Sequence, residues 1–81
     1  MIFINLDKME TANNLVKICE RYSDYMEVDV HYERYVVNGV SILAIASLFG
    51  NIVRIVPRTE DALLKGYFVR DITEIGAWVK D

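Results

Sequence analysis

Eighty-one residues make one small domain with a single modest core. Hydrophobic residues form 53% of the chain, among them five Tyr, three Phe and one Trp, which is ample for a packed fold and excludes a disordered one. The net charge is −3 and the nine basic residues are scattered, so the basic stripe of a nucleic-acid binder is missing and no nucleic-acid partner is expected. The lone Cys19 cannot form an internal disulfide, and a reducing, cytoplasmic setting is expected. The start "MIFINLDK" turns charged too soon for a signal peptide, and no apolar run approaches the ~20 residues of a membrane span, so no membrane role is expected.

"MIFINL" reads as a first strand, Met1–Leu6, with Ile2, Ile4 and Leu6 on one face. "DKME" is a polar break. A helix begins near Glu10 or Thr11, where Ala12, Leu15, Cys19 and Tyr22 recur at three and four, and Ser23-Asp24 ends it. Cys19 lies on that apolar stripe, which predicts a buried thiol rather than a reactive one. "MEVDVHY" alternates cleanly: Met26, Val28, Val30 and Tyr32 face one way, and Glu27, Asp29 and His31 the other. That pattern predicts a half-buried strand of an antiparallel sheet. Glu33-Arg34 then makes a tight connection that lacks the usual glycine.

"YVV" is a short strand, broken by Asn38-Gly39. Ser41 is the natural N-cap of a helix of about two turns, Ile42–Phe49, closed by Gly50. "IVRIVP" is a fourth strand, stopped at Pro57. From Thr59 to the end the spacing of Leu63, Leu64, Tyr67, Phe68, Ile72, Ile75, Trp78 and Val79 predicts one long helix. Thr59 caps it, Glu60 and Asp61 suit its positive end, Gly66 and Gly76 kink or fray it, and Trp78 fastens it. The predicted order is β-α-β-β-α-β-α. This is an α+β open-faced sandwich: a four-stranded, mainly antiparallel sheet with three helices on one face. On the bare face Phe3, Ile52 and Val56 would point outward, which suits a homodimer through the open sheet face.

The element order and the serine-capped short helix resemble the HPr family, the phosphocarrier proteins of the bacterial sugar phosphotransferase system. "VNGVSILAIASL" is similar to the family's Val-Asn, two residues, then Ser-Ile and a helix ending in Ser-Leu. "LVKICERY" resembles the end of the family's first helix, and "EDALL" the start of its last. The resemblance covers essentially the whole chain. It does not extend to the family's active-site signature, Gly-Ile-His-Ala-Arg-Pro, whose histidine carries the phosphoryl group. Here that place reads "LDKMETA". Lys8 falls on the histidine, Glu10 on the arginine and Thr11 on the proline.

The chemistry of that replacement is adverse to transfer. Imidazole, with a free pKa of about 6.5, offers an unprotonated nitrogen at neutral pH, whereas a lysine amine near 10.4 is a nucleophile only when desolvated. Glu10 sets a negative charge where the phosphate's positive partner belongs. Loss of phosphohistidine transfer is the expectation. The only histidine, His31, lies mid-strand on the polar face beside Asp29 and provides no substitute. As a lone histidine without Cys/His spacing it makes no metal site either.

The resemblance implies that Ser41 is a regulatory phosphorylation site whose modified form docks to protein partners, either phosphotransferase-system components or transcriptional regulators. On residue chemistry alone Ser41 is a plain N-cap, and both readings stand. Ile45 and Leu48 should point inward. Ile42, Leu43 and Ala46 would then lie outward beside Met9 as an apolar partner-binding patch, unless "SILAIASLF" is more buried than its spacing suggests.

Three functions compete. The first is an interaction or regulatory module that has lost phosphotransfer. The second is a phosphocarrier working through a non-histidine residue. The third is a small enzyme or ligand binder. No paired carboxylates in context, no glycine-rich phosphate loop and no nucleophile–base pair support the last, so neither enzymatic activity nor a cofactor is expected.

Overall fold

A computed structural model describes residues 1–81. Five strands and three helices follow in the order β1 (Ile2–Asn5), α1 (Met9–Tyr22), β2 (Glu27–Tyr32), β3 (Tyr35–Asn38), α2 (Ile42–Ala46), β4 (Ile52–Arg58), α3 (Ala62–Thr73) and β5 (Trp78–Val79). The strands form one antiparallel sheet of order β3-β2-β4-β1-β5. The helices lie on one face of it, so the architecture is an α+β open-faced sandwich. The sheet has five strands, not the expected four.

The period-two pattern sorts the faces. Ile2, Ile4, Val28, Val30, Val53 and Ile55 are buried under the helices. Phe3, Asp29, His31 and Val56 are half-buried on the open face, where Glu27, Ile52 and Arg54 are exposed. From α1, Ala12, Leu15, Val16, Ile18, Cys19 and Tyr22 complete the core, with Phe68 and Ile72 from α3. At the seam between these helices the Tyr22 hydroxyl donates to Asp71 Oδ2 at 2.5 Å. The Tyr22 ring meets Phe68 edge to face, with centroids 5.3 Å apart.

The last expected helix proves to be a helix and a strand. Asp61, not Thr59, caps α3: its Oδ1 accepts from the Leu63 and Leu64 N–H groups at 3.0 and 3.1 Å. Thr59 Oγ1 instead accepts from the Asp61 N–H one turn earlier. The helix runs unbroken through Gly66 and closes around Gly76. There the Ala77 N–H reaches the Ile72 carbonyl (3.1 Å) and the Gly76 N–H the Thr73 carbonyl (3.2 Å), the paired bonds of a Schellman closure. Gly76 sits at φ +111°, which a side chain would strain. The chain then returns as β5 beside β1, with Phe3 opposite Trp78. Trp78 therefore does not fasten a helix: its ring stacks on Phe3 on the open face, centroids 6.1 Å apart.

Three further boundaries differ from expectation. α1 starts at Met9, earlier than the apolar pattern, because the backbone is already extended at Lys8 and turns helical immediately after it. α2 is a single turn, Ile42–Ala46, continued as tight turns to Phe49. β4 passes through Pro57 to Arg58. Ladder bonds alternate, and the Leu6 N–H donates to the Asn51 carbonyl, so odd-numbered residues of β4 turn their backbone groups towards β1. β1 begins at Ile2, opposite Ile55, so position 57 faces no strand there and the missing proline N–H costs no bond.

The Glu33-Arg34 hairpin turn does without glycine by placing Glu33 at φ +52°. Gly39 serves for space rather than for conformation. Its N–H donates to the Val28 carbonyl at 2.8 Å, and a Cβ there would lie 2.7 Å from Cys19 Sγ and 3.1 Å from that carbonyl. Gly39→Ala should destabilise the fold by about 1–3 kcal/mol in urea titrations. In a Cys19→Ala background the penalty should shrink without vanishing, because the Val28 carbonyl remains. Equal penalties in both backgrounds would show that the sulfur is not the obstacle.

Burial, reinforced by the Glu20 carboxylate, pushes the Cys19 thiol from its ordinary 9.0 up to about 12. Burial, then the bond to Asp71, raises the Tyr22 phenol from 10.0 to about 12. An unfolded chain releases these protons near 9 and 10. Between those values and about 12 the unfolded state therefore holds fewer protons, and stability falls as pH rises. Urea midpoints should decline across that alkaline window. Cys19→Ala should flatten the decline from its onset, and Tyr22→Phe only its upper part.

Candidate docking surface

α2 is too short to hold itself in place, and neighbouring backbone anchors it at both ends. At its start, Asn38 folds the chain back. The Asn38 carbonyl accepts from the Ser41 N–H (3.1 Å) and its Oδ1 from the Val40 N–H (3.0 Å). Ser41 is extended (φ −89°, ψ 101°), and its Oγ accepts from the Ala44 N–H at 3.4 Å, as an N-cap does. At its end, the Ser47 hydroxyl donates to the Ala44 carbonyl (2.6 Å), and the Gly50 N–H donates to the Leu6 carbonyl (2.7 Å). That last bond ties the end of the α2 segment to the loop between β1 and α1. Lys8, Met9 and Glu10 thereby belong to the same side of the molecule as α2, and the two helices pack on each other.

Ile45 and Leu48 are buried, as their spacing predicts, and anchor the segment to the core. The other side is in water. Leu43 is 83% exposed and Ile42 41%, and Met9 is also exposed, whereas Ala46 is half-buried. The structure adds Val40 and Phe49, both exposed, which the sequence reading passed over. Phe49 was discoverable: Ile42, Ala46 and Phe49 stand at i, i+4 and i+7, one helical face. Ser41 is half-buried at the rim of this surface.

Lys8 is the N-cap residue of α1. Its backbone is extended (φ −135°, ψ 142°) and its side chain makes no capping bond, since an ammonium has no acceptor to offer. The N–H groups of Met9, Glu10 and Thr11 have no backbone acceptor, as at any helix start. Asp7, Lys8 and Glu10 are exposed and Thr11 half-buried. Two carboxylates therefore flank the N–H groups that would receive an anion, and Lys8 lacks the desolvation that a nucleophilic amine needs. His31 lies away from this loop, on the open face, between Val36 and Arg54 in register.

No protein-family model matches the chain, and no curated protein matches it. Among solved structures it is similar to the crystal structure of HPr-C-His from Thermoanaerobacter tengcongensis, with a TM-score of 0.67 and 18% identity over 93% of this chain and 89% of that one. At that identity the likeness is one of architecture: this chain has an HPr-like fold.

Proposed function

We propose that this protein is a cytoplasmic recognition module, not an enzyme: an HPr-like domain that no longer transfers a phosphoryl group and docks to protein partners through α2 and the adjoining Lys8–Glu10 loop. The observation that carries the reading is the exposed apolar surface of Ile42, Leu43 and Phe49 beside a loop that holds no histidine. An exposed leucine alone means little. Apolar residues grouped on an anchored turn are what a partner's apolar side chains would cover. By resemblance the partners are phosphotransferase-system proteins or transcriptional regulators. Ser41 is the candidate switch, because a phosphate on its Oγ would add charge and hydrogen-bond acceptors at the rim of that surface.

The competing reading, a phosphocarrier using a non-histidine residue, separates cleanly in one assay. Incubation with labelled phosphoenolpyruvate and the first enzyme of the phosphotransferase system should leave this chain unlabelled. An acid-labile phosphoryl group on it would refute the recognition reading.

Recovery of partners from native cytosol tests the surface. Leu43→Glu should reduce capture of the wild-type partner set at least about tenfold, the effect of 1.4 kcal/mol. Its thermal stability should hold, because Leu43 lies in solvent. Ser41→Asp should alter that set. Identical recovery by all three proteins would show that α2 is not the working surface.

A further inference from the structure

The sheet has two edges, and they are unequal. β5 offers two residues. β3 offers four, Tyr35-Val36-Val37-Asn38, with no lysine, proline or other charge among them, and Tyr35 is 64% exposed and Val36 56%. Natural edges of that length are usually guarded by such residues against pairing with another strand. The lack of charge is not local chance. In a chain that is 26% charged, no charged residue occurs between Arg34 and Arg54.

The backbone groups left open at this edge follow from the ladder. β3 pairs with β2 as Tyr32–Tyr35, His31–Val36, Val30–Val37 and Asp29–Asn38, and the Gly39 N–H donates to the Val28 carbonyl. Odd-numbered residues of β3 therefore bond inward. Val36 and Asn38 turn their N–H and C=O groups outward, and of these the Asn38 carbonyl already accepts from the Ser41 N–H. Neither N–H donates in any turn or loop bond.

We propose that β3 pairs antiparallel with β3 of a second copy of this chain, about a two-fold axis at Val36, so that the two sheets become one. The proposal does not depend on the docking role of α2. The axis makes the open groups complementary. Val36 exchanges both backbone bonds with Val36 of the second copy, and Asn38 comes opposite Arg34, so no like charges meet. On the helical side Tyr35 opposes Val37 of the second copy, an apolar cross-strand pair, and on the open side valine meets valine. An isologous contact of this kind closes at two copies.

Stacking the two open faces is the weaker alternative. Arg58 is balanced there by Glu27 (3.2 Å) and Asp29 (3.7 Å), but Arg54 pairs with no carboxylate and would be buried without one.

Sedimentation equilibrium over a wide concentration range, with amide hydrogen exchange, tests the pairing. The wild type should pass from monomer to dimer as concentration rises, and the Val36 amide should slow only in the dimer. Val36→Lys places a charge on the edge, and Val36→Pro removes only the outward N–H. Each should weaken dimerisation at least about tenfold while keeping a native circular-dichroism spectrum. A wild type that stays monomeric throughout overturns the proposal. So does a dimer in which the Val36 amide exchanges as fast as in the monomer, whether or not the variants fold. A dimer that persists in both variants and is broken by Ile52→Lys would assign the contact to the open face instead.

Discussion

The close approach of Gly39 to Cys19 is the constraint on which the functional side of this molecule depends. The chain leaves β3 and must cross from the sheet to the helical layer. It does so flat against the last turn of α1, where even one methyl group would meet the sulfur at 2.7 Å. That contact, the Asn38 turn and the Gly50–Leu6 bond determine where α2 stands. A single helical turn has no stability of its own. It persists because both of its ends are bonded to other elements and two side chains, Ile45 and Leu48, enter the core. The remaining side chains of α2 are thus free to be chosen for something other than folding.

The same arrangement brings the α2 surface beside the start of α1. β1, the loop after it and the start of α1 form a fixed frame, with Lys8 at the helix boundary and open N–H groups after it. The side chains on that frame do not suit an anion. Asp7 and Glu10 add negative charge at the helix's positive end, and nothing buries Lys8. The frame is fixed by buried core residues such as Leu6, Ala12 and Leu15. Exposed side chains on such a frame can vary while the fold persists, because the two sets of residues bear different loads.

Legibility along the chain follows the strength of local physics. The alternation of "MEVDVHY" and the apolar stripe from Ala12 to Tyr22 were readable, because burial on one face is written in their periods. Ser41 was readable as a cap, and Ile45 and Leu48 as anchors, from their spacing alone. β5 was hidden because Trp78 stands three residues after Ile75, a helical spacing that the left-handed turn at Gly76 cancels. The start of α1 was hidden because lysine has no capping chemistry to announce it. Thr59 and Asp61 both have that chemistry. Which one caps α3 depends on where β4 lets go of the chain, and β4 runs to Arg58. Phe49 lay within the expected helix and on the face of Ile42 and Ala46, so its place on the exposed side was legible from spacing alone.

Exposed apolar surface in a small domain can be a simple shortage of polar residues, but the distribution of charge here argues otherwise. The open face of the sheet, which also lacks a covering layer, carries Glu27, Asp29, Arg54 and Arg58, three of them joined in ion pairs. The outer sides of α1 and α3 carry charges as well, among them Lys17, Glu20, Arg21, Lys65 and Arg70. Only the segment between Arg34 and Arg54 has none, and it supplies both the β3 edge and α2. Burial accounts for Gly39, Ile45, Leu48 and Val53 within it. It does not account for Tyr35, Val36, Val40, Ile42, Leu43, Phe49 and Ile52, which are all exposed. A lysine or glutamate at Tyr35, Val36, Leu43 or Ile52 would cost the core little, since each of these side chains lies more than half in water. The contacts proposed for this protein would use that uncharged flank, and the two elements that form it are an unguarded strand edge and an anchored apolar turn.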